Sequence, residues 1–288
     1  MTTADEIIMT MESMRDEAQA RHLMRFFKTG KGDYGEGDRF LGLRCPQTRM
    51  VVKSARLDVA MSEIEKLLYS EWHEVRLAGF LFLVEEMKAA LPRKRDVPEV
   101  NARKRDEIAR FYLNHARQAN NWDLVDMSCP KIIGEWLLYP GADGSLPDRG
   151  LLDRLIESDN LWEQRIGIVS NWRLIRESQF EDTLRIAPRL FNHPHDLIHK
   201  ATGWMLREVG KRDMGVLTDF LERHYAAMPR TALRYAIEKM PEPERLFWLR
   251  RRCCCRVSAD QSFSENCSQG IYVPSGRRNQ SGRQEVWV

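Results

Sequence analysis

Helical periodicity runs through almost the whole chain, and no stretch alternates as a half-buried strand must. Apolar positions recur at helical spacing over 3–27, 61–69, 73–90, 99–118, 122–139, 148–157, 160–177, 179–191, 195–211, 214–226 and 229–239. Gly30, Gly32, Gly35 and Gly37 interrupt the first of these, so 28–45 reads as a loop, and Pro46 suits the first turn of the next helix. A chain built this way is all-α, and its 288 residues suffice for one large domain or an array of small units.

Three segments resemble one another: Glu74-Val75-Arg76-Leu77-Ala78-Gly79, Glu163-Gln164-Arg165-Ile166-Gly167-Ile168 and Ile198-His199-Lys200-Ala201-Thr202-Gly203. Each sets a basic residue just before small and apolar positions. Arg165 and Lys200 are 35 positions apart, close to the length of one helix pair. Small residues let helices approach closely, and stacked pairs form a curved solenoid with a concave face. On that reading Arg76, Arg165 and Lys200 line the concave side. An irregular helical bundle is the alternative.

Charge narrows the partners. Six arginines against three acids in residues 251–288 account for the whole net charge of +3, so residues 1–250 are close to neutral. A nucleic-acid site on the body therefore requires segregated charge. The tail also loses helical periodicity and is expected to be disordered, leaving 1–250 as the folded domain. Cys253, Cys254, Cys255 and Cys267 lie in the tail, while Cys45 and Cys129 belong to the body. None of these shows a zinc-ligand spacing, so free thiols are expected, with no metal and no cofactor. No apolar run approaches the roughly 18 residues of a membrane span, and no basic-then-apolar leader opens the chain. The expectation is a cytoplasmic protein with no membrane partner.

The segment Asn121-Trp122-Asp123-Leu124-Val125-Asp126 is the richest in chemistry. Trp122 and Asp126 are one turn apart and share a helix face. An acid beside an indole can stabilise a cation, although a packed Trp and a capping or ion-paired Asp fit the spacing too. Ser128, Cys129 and Pro130 suggest a break, with a new helix starting near Pro130 and Asp126 left near a helix end. Lys200, Trp204 and Arg207 form a cation–aromatic–cation stripe suited to an anionic backbone. Gly203 beside Trp204 costs roughly 1 kcal/mol in a helix, to be offset by close packing or by ligand access. Arg165 shares a face with Trp162, and suits either a phosphate or a salt bridge to Asp126.

Other features carry less. The acids of Tyr34-Gly35-Glu36-Gly37-Asp38-Arg39-Phe40-Leu41-Gly42 oppose phosphate binding, so this loop reads as a connection anchored by Phe40 and Leu41. His193 and His195 flank Pro194 without further metal ligands. Arg93-Lys94-Arg95 and Arg103-Lys104-Arg105 read as solvated charge, with a phosphate patch as the alternative.

Taken in order, Phe40-Leu41-Gly42-Leu43-Arg44, His73-Glu74-Val75-Arg76, Trp122-Asp123-Leu124-Val125-Asp126, Trp162-Glu163-Gln164-Arg165 and Gly203-Trp204-Met205-Leu206-Arg207-Glu208 resemble the signatures of the DNA alkylation repair family, the AlkD-like glycosylases. The resemblance covers roughly residues 5–245 and leaves out the tail. It implies a curved solenoid of HEAT-like repeats holding double-stranded DNA in its concave groove. It implies hydrolysis of the N-glycosidic bond of cationic N3- and N7-alkylated purines, with the base left largely in the stack. Trp122 and Trp204 would then flank the lesion's deoxyribose, Asp126 would be the catalytic carboxylate, and Arg165 would contact the DNA backbone, with Arg76, Lys200 and Arg207 as further DNA-binding cations. A monofunctional, monomeric enzyme is expected. The other readings are a DNA-structure-binding module without excision activity and a helical protein scaffold.

Overall fold

The computed structural model describes residues 1–92 and 98–251, with side chains in the second stretch from residue 101 onward. The Arg93-Lys94-Arg95 run and the tail, with Cys253, Cys254, Cys255 and Cys267, lie outside the described residues. Among those described, every regular element is helical, apart from an isolated bridge between Arg39 and Trp72.

The chain opens with α1 (Ala4–Glu12), held by a reciprocal cap in which Glu6 N donates to Thr3 Oγ1 at 3.3 Å and Thr3 N donates to the Glu6 carboxylate at 2.9 Å. The helix expected over 3–27 is two helices. Asp16 interrupts it, capping α2 (Glu17–Phe26) by accepting from Gln19 N at 2.9 Å. A tertiary bond fixes the break, since Asp16 N donates to Leu41 O at 3.0 Å. Next come α3 (Cys45–Ser54), with Pro46 in its first turn, α4 (Met61–Leu68), α5 (His73–Ala90) and α6 (Pro98–Asn114). The central part holds α7 (Trp122–Trp136), α8 (Gly150–Ile156), α9 (Leu161–Val169), α10 (Asn171–Arg176) and α11 (Glu181–Ile186). The last are α12 (Asp196–Arg212), α13 (Met214–His224), α14 (Arg230–Ala236) and α15 (Glu242–Arg250). The 160–177 stretch divides at Ser170 into α9 and α10, and α15 lies beyond the last helix expected.

One layer organises residues 1–249. In it α5 packs on α7, α7 on α9, α9 on α12 and α12 on α14. The remaining helices support this row: α3, α4 and α6 lie against α5, α8 against α9, and α13 against α12. Neighbours close in sequence thus stack in space, which is a helical-repeat solenoid. Each of the similar segments carries a glycine at a close approach to a neighbouring helix. An added Cβ would stand 2.8 Å from Leu68 at Gly79, 2.7 Å from Ile156 at Gly167 and 2.4 Å from the Ala232 carbonyl at Gly203. Close packing on α14, then, is what offsets the helical cost of Gly203.

Pro130 does not end a helix. It lies inside α7, which continues to Trp136. A proline here withholds one amide from the Asp126 carbonyl, four residues back. Burial on both sides outweighs that loss, because Leu124, Val125, Cys129, Ile132 and Ile133 are all fully buried. Each such side chain contributes about 1.5–3 kcal/mol. Asp126 therefore sits mid-helix, held against neighbours rather than freed at a terminus. Cys129 is a buried free thiol and Cys45 a half-buried one.

Candidate functional site

The N-terminus of α7 begins the site. Asn121, extended and buried, accepts the Trp122 amide on its side-chain oxygen at 2.9 Å and so starts the helix. One turn on, Asp126 meets Arg165 of α9 in a two-point clamp. Nε donates to Oδ1 at 2.8 Å and Nη2 to Oδ2 at 2.7 Å. The third guanidinium nitrogen, Nη1, donates to Leu197 O of α12 at 2.7 Å. Arg165 thereby ties three successive helices of the row together. Its side chain is 6% exposed and that of Asp126 14%, so the pair is largely covered but the Asp126 side chain is not sealed. Burial pushes the Asp126 carboxyl above its usual value, with Arg165 opposing and Asp123 adding to the rise.

Trp122 has an aromatic floor from α2. Its ring stacks on Phe27 at 5.3 Å and meets Phe26 edge-on at 5.9 Å. Phe40 stacks on Phe27 from the other side at 5.2 Å. The glycine-rich loop thus does more than connect. Its Phe40 and Leu41 are buried anchors, as expected, but Tyr34 reaches into the site. The Tyr34 ring lies edge-on to Trp162 at 6.2 Å and to His195 at 6.3 Å. Burial raises its pKa, with Trp122 and Lys200 opposing.

A buried charge network supports this corner. His73, first residue of α5, holds Asp38 Oδ2 at 2.7 Å through Nδ1 and Asp123 Oδ2 at 2.8 Å through Nε2. Burial alone lowers an imidazole pKa, but the two carboxylates outweigh it and bring His73 to about 9. Both ring nitrogens therefore carry protons at neutral pH. Asp38 is lowered against the effect of burial by His73 and Arg76. Glu74 completes the anchor, accepting the amides of Leu41, Gly42 and Leu43 at 2.9, 2.8 and 3.1 Å. Gly42 is indispensable to that turn, because its φ is +93° and an added Cβ would fall 2.0 Å from Asp16 O.

The remaining expected residues divide. Arg76 does not line a DNA-facing surface. It is buried, with its guanidinium on Asp38 and on Ser70 O at 2.9 Å, so it fastens the loop to α5, and its one unpaired nitrogen, Nε, is buried too. Arg207 is held by Glu238 and is mostly covered. Lys200 is 40% exposed and pairs with Asp196 at 3.0 Å, a bond that water and salt weaken. Trp204 is half-buried, and its Nε1 donates to Glu208 at 3.2 Å. Among the described residues no ring contact or hydrogen bond joins Trp204 to Trp122, Asp126 or Arg165; they are related through the packing of α7, α9 and α12. His193 and His195 use Nδ1 to accept backbone amides of His195 and Leu197, at 3.0 and 3.1 Å. No group of three potential metal ligands occurs among the described residues.

Sequence reasoning missed Tyr34, Phe27, His73 and Asp38 as parts of the site. Their partners lie 35 and 50 positions away for His73, beyond the reach of any local pattern. The one signal was an aromatic residue among the loop glycines.

A row of packed helices, one carrying an indole one turn from a guanidinium-clamped carboxylate, defines a helical-repeat protein. The chain belongs to a known family of that build, the DNA alkylation repair enzymes, whose family model matches residues 7–240. Among solved structures it is similar to a "Predicted DNA alkylation repair enzyme from Enterococcus faecalis", with a TM-score of 0.55 and 14% identity, over 79% of this chain and 97% of that one. That similarity shows the fold. No curated protein matches.

Proposed function

We propose that the protein is a monofunctional glycosylase that hydrolyses the N-glycosidic bond of cationic N3- and N7-alkylated purines in duplex DNA. The observation that carries this is the Asp126 carboxylate, fixed at both oxygens on a side chain that is not sealed and lies one turn from Trp122 on the same helix. Alkylation makes the purine cationic and a good leaving group. As the bond to C1′ lengthens, positive charge grows on the deoxyribose. A carboxylate held in place stabilises that charge without reorganising, and orients the water that adds to C1′. The electron pair of the broken bond leaves with the purine, which departs neutral. Asp126 or solvent takes the proton from the water.

Trp122 contributes an indole face at the sugar, worth about 0.5–2 kcal/mol against a cation. Trp204 is assigned the opposite side of the same deoxyribose, and Lys200 a neighbouring phosphate. Arg165 sets the angle of Asp126, and with all three guanidinium nitrogens engaged within the protein it acts through that carboxylate. No amine nucleophile takes part, so no lyase step follows. The protein acts as a monomer in the cytoplasm, leaving the modified base largely stacked.

A second reading, binding of DNA without excision, is favoured by the same clamp, since Arg165 occupies both Asp126 oxygens. Incubating excess protein with methylated duplex DNA separates the two. A glycosylase releases 7-methylguanine and leaves no covalent adduct after borohydride treatment. Bound DNA with no free base over many hours would establish the second reading.

A further inference from the structure

Outside the Asp126 site, an open cleft of about 460 Å³ lies on α2 and the start of the following loop. Arg21, Arg25 and Lys28 line it, with Met24, Thr29 and Asp33. Arg21 and Arg25 are one turn apart on α2, and Lys28, just past the end of the helix, lines the same cleft, so the three form one row. All three are exposed, and none is paired with a carboxylate among the described residues. By contrast Arg56, Arg117, Arg185 and Arg189, also at the surface, are each held by an acid. Lys28 has a left-handed backbone (φ +51°), an uncommon conformation for a residue with a side chain.

The stripe is continuous with the site. Phe26, between Arg25 and Lys28, is 53% exposed, and its ring meets Trp122 at 5.9 Å. The Lys28 carbonyl accepts the amide of Gly35, next to Tyr34, at 3.2 Å. Arg21 and Arg25 are roughly 6 Å apart along α2 at 1.5 Å per residue, and Lys28 extends the row past the helix end. A single small anion would leave part of such a row unused.

We infer that Arg21, Arg25 and Lys28 form a second phosphate-binding track, which takes the sugar–phosphate backbone of a DNA strand leading to Trp122. The inference rests on the glycosylase reading only in its assumption that the protein binds DNA. Cations placed this way supply affinity and register without reading sequence. Exposed Phe26 covers the sugar edge between the track and Trp122.

The test is a titration of unmodified duplex DNA at stepped salt concentrations, using the whole chain and the Arg21→Gln/Arg25→Gln/Lys28→Gln variant. The wild-type logarithmic salt slope should fall by roughly two to three units in the variant, with affinity at low salt reduced about tenfold or more. Should the triple variant misfold, Arg25→Gln alone should lower the slope by about one. Wild-type DNA binding with an unchanged slope in these variants overturns the track while leaving the glycosylase reading intact. Saturable micromolar binding of a mononucleotide at the stripe overturns it in favour of a small-anion site. Absence of salt-dependent DNA binding by the wild type removes both.

Discussion

Asp126 shows how little a single side chain's identity says before its neighbours are known. Its spacing from Trp122 was readable from the sequence, and so was Arg165 as either a phosphate contact or an ion-pair partner. The structure joins Asp126 and Arg165 directly, at 2.7 and 2.8 Å. Arg76 and Arg207 occupy positions as basic as that of Arg165, yet their charge is absorbed by Asp38 and Glu238. A one-dimensional pattern records where a cation is, not which acid from 30 or more residues away reaches it first. The raised pKa of Asp126 has a consequence for rate. Catalysis requires the ionised form, so base release should fall on the acid side, with its inflection above the ordinary carboxylate value. A pH–rate profile of kcat/KM on methylated duplex checks this, and an inflection at or below that of a free aspartate would count against Asp126 as the catalytic group.

Helices supply what the site needs, positions fixed to fractions of an ångström. Helical periodicity and small residues located most of them, because a 3.6-residue repeat and close-packing glycines leave a local trace. The breaks were harder. Asp16 ends a helical run because Leu41 O takes its amide, and Pro130 fails to end one because the flanking residues are buried. Both outcomes are decided by tertiary contacts. The Asp38–His73–Asp123 network is the clearest such contact, joining the loop, α5 and α7. His73 has its folded pKa raised from 6.5 to about 9. Its stabilisation is therefore fully present below the unfolded value near 6.5 and disappears as pH rises through about 9. The shift corresponds to roughly 3 kcal/mol. Urea midpoints measured at pH 6.5 and 9.5 should show the wild type losing stability at the higher pH, and His73→Gln should flatten that difference. An equal slope in both proteins would remove His73 from the account.

At the largest scale, residues 1–249 are built on one row of helices, α5, α7, α9, α12 and α14, against which others pack. A second apolar cluster, from Ala187 to Trp248, secures the C-terminal end. It includes Trp248 of α15, a helix whose short, charge-rich sequence gave no clear period. No helix among the described residues is long and apolar enough to cross a membrane. The chain belongs to the DNA alkylation repair enzyme family, and excision by a fixed carboxylate is the activity proposed for it. The decisive measurement is single-turnover release of 7-methylguanine from duplex DNA by the wild type and by Asp126→Asn, with thermal melting and DNA affinity recorded for both. Asn keeps the shape but leaves Arg165 without a counter-charge, so a lower melting temperature is expected. At a temperature where both are folded and bind DNA alike, Asp126→Asn should release base about 10²–10³ times more slowly. Equal release rates would contradict the account.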